Sequence, residues 1–196
     1  MATYQSIRYN VDYQGKAGSL MPLLTFTSDG SDDTADFTSK IDSTYDEYLF
    51  IFNDIHPETN DKAFQWQVNA SGESGYNETI TSSAFRALHD EGDATTSLEY
   101  SGGSDKAQGT SYQVLIDGIG NDNDQTCSGL LRLYNPSSTT FVKHFVSQMH
   151  KSHHSDYAQI YFIAGYINTT TAIDDIQFKM SSGEIQAGTI QMFGVI

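Results

Sequence analysis

Cysteine is nearly missing from this chain of 196 residues. Cys127 stands alone, so no intrachain disulfide can form and the fold does not depend on an oxidising compartment. Positive charge is scarce as well: 10 Lys+Arg face 25 Asp+Glu, for a formal net charge of -15. A surface of that sign repels phosphate, which argues against nucleic acid and anionic membrane as partners. Long apolar runs are absent too. The longest spans residues 160–167 with Gly165 inside it, far below the ~20 residues of a membrane-crossing helix. The start, Met1-Ala2-Thr3-Tyr4-Gln5, has no basic stretch leading into an apolar one, so no secretory signal is expected.

What the chain does hold is aromatic and β-forming. Its 12 Tyr, 11 Phe and single Trp argue for an ordered core, and the length suits one domain. Ile7, Tyr9, Val11 and Tyr13 alternate with polar residues, the period of a strand with one buried face. Further strands are expected over 20–28, with Pro22 near the start where a missing donor is tolerated, and over 45–55. Within the latter, Tyr48-Leu49-Phe50-Ile51-Phe52 is dense enough to suggest cover on both faces. Phe64, Trp66 and Val68 mark the next strand. Others are expected over 78–88, 95–100, 111–116, 129–134, 139–149, 157–167, 172–180 and 188–195. Gly-, Asp-, Asn- and Ser-rich clusters at 28–33, 69–75, 101–104 and 118–124 read as loops. Residues 84–91 have the composition for one helical turn, and nothing longer is credible. Ten to twelve short strands with such punctuation imply an all-β fold, an antiparallel β-sandwich of jelly-roll-like form with little or no helix. Residues 1–35 form an N-terminal strand or attachment segment, with Gly15-Lys16-Ala17-Gly18 as a flexible joint; residues 36–196 form the sandwich domain.

Several constellations raise the question of chemistry. His150, His153 and His154, with His144 upstream, are imidazoles of the type that bind Zn or Ni when several converge. They lie between two strong strands, where a polar, solvated hairpin loop is the plainer reading; in a trimer one His per chain could instead meet on the axis. Asp29, Asp32 and Asp33, and Asn121 to Asp124, offer oxygens of the kind Ca²⁺ takes. They lack the helix–loop–helix spacing and its closing Glu, and Asp and Asn are good turn formers in their own right. Ser71-Gly72-Glu73-Ser74-Gly75 is a turn and lacks the context of a nucleophile elbow, and Gly118-Ile119-Gly120 lacks the surroundings of a dinucleotide loop. Asn69, Asn77 and Asn168 open glycosylation sequons that carry no weight without a secretory signal. Trp66, flanked by Gln65 and Gln67, suits a sugar platform and equally a core position; the core position is the reading taken. No catalytic residue, cofactor site or structural metal is expected.

A resemblance then appears. The runs Ile41-Asp42-Ser43-Thr44-Tyr45-Asp46-Glu47-Tyr48 and Phe50-Ile51-Phe52-Asn53-Asp54-Ile55-His56-Pro57 resemble a family of structural proteins of marine tailed phages, cyanophages especially. So do Phe85-Arg86-Ala87-Leu88-His89-Asp90-Glu91, the stretch from Leu133-Tyr134-Asn135-Pro136 to Phe145, and Ala164-Gly165-Tyr166-Ile167-Asn168-Thr169-Thr170. The likeness covers the chain from about Asp36 onward. It implies a non-enzymatic virion component, made in the host cytoplasm and carried on the exterior of the particle, and it supplies no catalytic residues.

Two roles compete within that reading: a capsid-surface decoration or cement protein, and a tail-fibre or spike module binding a host-surface glycan. A short chain without a coiled-coil or β-helical shaft favours decoration. The expected partners are other virion proteins of capsid or tail and further copies of the chain itself, as a homotrimer. Docking is expected through Ile7, Arg8, Tyr9, Val11 and Lys16, in a stretch where acids do not outnumber bases.

Overall fold

The two-residue period translates directly into strands. A computed structural model describes residues 20–195 of the chain, and 61% of it is strand with no helix. The strands are β1 (Leu20–Thr27), β2 (Ala35–Phe37), β3 (Glu47–Pro57), β4 (Lys62–Ala70), β5 (Ile80–Asp90), β6 (Thr96–Tyr100), β7 (Lys106–Gly109), β8 (Gln113–Ile119), β9 (Cys127–Tyr134), β10 (Lys143–Ser152), β11 (Tyr157–Ile167), β12 (Ile173–Met180) and β13 (Ile185–Val195). They build two antiparallel sheets. The larger runs β1-β13-β3-β9-β10-β11-β5-β6, with β7 also on β5; the smaller runs β2-β12-β4-β8. Neighbours such as β13 and β3, or β12 and β4, are distant in sequence, so the chain passes repeatedly from one sheet to the other. The expected all-β sandwich is the fold observed.

The core lies between the sheets and is built on aromatic rings. Phe178 of β12 sits 5.9 Å from Phe37, 5.3 Å from Phe50, 5.2 Å from Phe52 and 6.0 Å from Phe64, ring centre to ring centre. Trp66 packs edge-on against Phe145 at 4.9 Å and is fully buried, as a core residue should be. Cys127 is buried as well, which pushes its thiol up to about 12 and leaves it a small apolar filler.

Turn chemistry fixes the ends. Pro57 closes β3, since it can add no donor to the ladder. Between β9 and β10, Asn135-Pro136-Ser137-Ser138 closes a tight turn in which the Ser138 N–H donates to the Asn135 carbonyl at 3.1 Å. Residues 84–91 do not form the expected helical turn. Residues 84–90 belong to β5, in line with the strand expected over 78–88, and β5 pairs with β11 without a break from Ile80↔Ile167 to Asp90↔Tyr157. That ladder overrides the local helix preference of Ala84, Arg86, Ala87 and Leu88. Two elements were not expected from sequence, β2 and β7. Of residues 1–35, β1 forms an edge strand of the larger sheet against β13; Ile7, Arg8, Tyr9, Val11 and Lys16 lie outside the described residues. No helix among the described residues is long and apolar enough to cross a membrane.

Candidate functional site

Polar chemistry gathers where β8 of the smaller sheet crosses β10 and β11. Lys151 points inward from β10 and is wholly buried. Its Nζ donates to Asp117 Oδ1 of β8 at 3.4 Å, and the Tyr161 hydroxyl of β11 donates to the same oxygen at 2.6 Å. Arg86 of β5 donates from Nη1 to the Tyr161 oxygen at 2.9 Å and pairs with Glu99 of β6 at 2.6 Å. The chain of contacts therefore runs from solvent at Glu99 to the interior at Lys151, and it ties four strands of one sheet to the edge of the other. Burial, only partly offset by Asp117, lowers the Lys151 ammonium to about 8. Burial and the bond to Asp117 raise Tyr161 to about 12.

The histidines divide around this network. His150 projects from the opposite, outer face of β10 and is exposed. His153 and His154 turn toward β8, their rings 4.1 Å apart. His153 Nδ1 accepts from the Ser155 N–H at 3.0 Å, which places the proton of the neutral ring on Nε2. Burial, then Lys151, then His154 lower its pKa to about 4. His154 Nδ1 lies 3.3 Å from the Gly118 carbonyl and 3.3 Å from Asp61. Gly118 is required here: its φ is +60°, and a Cβ would stand 2.7 Å from His153 Nε2 and 2.8 Å from Lys151 Nζ. Among the described residues, no three His, Cys, Asp or Glu come together as a metal-holding group. Two carboxylates of the first acidic loop and one backbone carbonyl of the second are engaged locally. Asp29 Oδ1 accepts from the Ser31 N–H at 3.1 Å, Asp32 Oδ2 accepts from the Asp29 N–H at 2.9 Å, and the Asp122 carbonyl accepts from the Gln125 N–H at 2.8 Å. The network at Lys151 is thus a clamp between sheets. Nothing in the sequence marked it, because Lys151 and Asp117 are brought together only by the crossing of the sheets.

The outer face of the larger sheet is different in kind. Strict alternation sends Phe85, Ala87, Ile160, Phe162, Ala164 and Val146 outward from β5, β11 and β10. Leu98 and Tyr100 of β6 continue the same rows. Leu98 is 74% exposed, Tyr100 61%, Phe85 47% and Val146 40%. Phe85 and Phe162 are paired across the strands and stack face to face at 5.0 Å. The small residues between the large ones leave shallow hollows, one of ≈ 320 Å³ beside Ala87, Ala158 and Ile160 and one of ≈ 210 Å³ beside Phe85, Val146 and Phe162. None of the outward positions of β6, β5, β11 and β10 is Asp, Glu, Lys or Arg. Further across, Arg132 and Glu47 pair with each other. In a chain of net charge -15, this sheet face is nearly uncharged and apolar at its centre, with Ser83, His89, Thr96, His144, Gln148 and His150 toward its margins. It is the feature of the described residues best suited to binding.

No family model, no curated protein and no solved structure matches the chain.

Proposed function

We propose that this chain is a non-enzymatic structural protein of a phage virion, a decoration or cement protein on the outside of the capsid. The observation that carries the reading is the apolar, nearly uncharged outer face of the larger sheet on an otherwise strongly acidic sandwich. Soluble proteins seldom leave large contiguous apolar patches bare, and such faces mark contacts between proteins. The acidic remainder would keep the chain soluble until it assembles. The buried clamp at Lys151, Asp117 and Tyr161 suits a load-bearing role, since it locks the two sheets against sliding. Attachment to the particle is assigned to residues 1–35, which leaves the sheet face for contacts among copies.

A fibre or spike module binding polysaccharide is the second reading, and Phe85, Phe162 and Tyr100 are the residues that would serve it. Phe85 and Phe162 turn their ring faces toward each other, however, and a sugar stacks on a free ring face. That geometry favours decoration. The test is composition and resistance of the particle: purified virions should contain the chain, and particles made without it should lose their genome at a lower temperature. Normal particles lacking the chain would refute the reading.

A further inference from the structure

We propose that the partner on the outer face of β6, β5, β11 and β10 is a second copy of this chain, packed face to face about a two-fold axis. The inference rests on the reading of the protein as an assembly component, and it names what covers that surface.

Three observations point to self-pairing. The first is charge. Two molecules of net charge -15 repel each other over most of their surfaces, yet these four strands present no Asp, Glu, Lys or Arg outward. A strongly basic partner would be expected to meet complementary acids here, and there are none. The second is relief. Tyr100, Phe85 and Phe162 stand side by side as a ridge across the strands, with Ala87 in the row on one side and Ser83 and Ala164 in the row on the other. A copy rotated by a half-turn brings its ridges over hollows of the same kind, as an isologous contact requires. The third is area. Four strands from β6 to β10 at about 4.8 Å spacing, carrying up to five outward rows about 6.7 Å apart, offer up to roughly 640 Å². Two such faces together bury about 1,300 Å², at the lower end of the roughly 1,200–2,000 Å² of specific interfaces. Packed sheets of two sandwiches are a common solution for such faces.

The edges offer less. β6 and β7 share the free edge of β5 and are five and four residues long, and short edge strands are poor templates for pairing. A face-to-face contact joins copies in twos, so it differs from the three-fold assembly expected from sequence.

The experiment is sedimentation equilibrium of the full-length purified chain at micromolar concentration, with circular dichroism as the folding control. The wild type should show twice the mass of the 21.7 kDa chain. Phe85→Glu and Phe85→Lys should each be monomeric with an unchanged spectrum, because each places like charges against one another across the axis. Mixed in equal amounts they should recover the dimer. Phe141→Glu, on the exposed loop between β9 and β10, should leave the dimer intact. A monomeric or trimeric wild type, or a Phe85→Glu protein that still dimerises, overturns the proposal. So does loss of folding in both Phe85 variants if Leu98→Glu, on the more exposed strand, folds and stays dimeric. Particle content separates the two readings: a monomer found in virions refutes the dimer alone, and a dimer missing from virions refutes the virion role alone.

Discussion

Replacing Lys151 by Met should stabilise the protein at neutral pH, although it removes the inner member of an ion pair. The ammonium is fully buried and donates to one recorded acceptor, Asp117, at 3.4 Å. Lowering its pKa from 10.5 to about 8 corresponds to about 3 kcal/mol of penalty for keeping the charge inside the fold. For a group whose folded pKa is depressed in this way, the unfolded chain holds more protons between pH 8 and 10.5. Stability therefore rises with pH across that window, and the penalty is fully present below it. Integrated from pH 7 to 9.5, the gain is about 2 kcal/mol. Met has similar bulk and no charge to desolvate, and Asp117 keeps the Tyr161 hydroxyl and its own access to water, its side chain being 41% exposed. The net gain for Lys151→Met at pH 7 should be about 1–3 kcal/mol, in line with other buried pairs replaced by apolar groups. Urea titrations read through Trp66, the only Trp, should move the midpoint up by about 1 M. Lys106 and Lys143, also lowered by burial, act with the same sign, and the Cys127 thiol, raised from 9.0 to about 12, acts against them above pH 9; all three persist in the variant, so the Lys151 share is the difference between the two proteins. Above pH 10 the raised Tyr161 works in the opposite direction, because unfolded tyrosines ionise first. A wild type whose stability is flat from pH 7 to 9.5, together with a Lys151→Met protein weaker by more than 1 kcal/mol, would refute the reasoning.

Other outcomes follow from single contacts. Gly165→Ala should cost about 1–3 kcal/mol in urea, because its Cβ would stand 2.3 Å from the Thr81 carbonyl oxygen and 2.8 Å from the Ser82 Cα, both backbone atoms. Phe178→Ala should cost about 3–5 kcal/mol, since four rings close around that side chain; a loss below 1 kcal/mol would mean the core is not centred there. The His153 ring should titrate near 4 by NMR, and its share of stability should fall as pH drops from 6.5 through 4, because the unfolded ring takes its proton first. A chelator should leave the melting temperature unchanged; a drop would reveal a metal that the histidines hold.

The sandwich was legible because alternation is a local signal. In β10 every second residue from Lys143 to Lys151 is buried, and the runs at 45–55 and 157–167 are dense enough to announce central strands. β2 is three residues long and has no period to detect. β7 carries Lys106, Gln108 and Gly109, poor strand formers held by β5. The misread turn at 84–91 shows the limit of local preference when an eleven-residue ladder competes with it. The site was less legible for a different reason. Lys151 and Asp117 are 34 positions apart, and which of His150, His153 and His154 turns inward depends on where the β10–β11 hairpin meets β8. The outer face was half visible: Ile160-Tyr161-Phe162-Ile163 is apolar on both faces of its strand, but sequence alone leaves open whether the second face is covered within the chain or by another molecule.

A reconstruction of the whole particle tests the central claim most directly. The account expects density matching this two-sheet sandwich on the capsid exterior, with paired copies joined through the face bearing Phe85 and Leu98. Particles whose every exterior feature is accounted for by other chains, with this one left in the soluble fraction of infected cells, would contradict it.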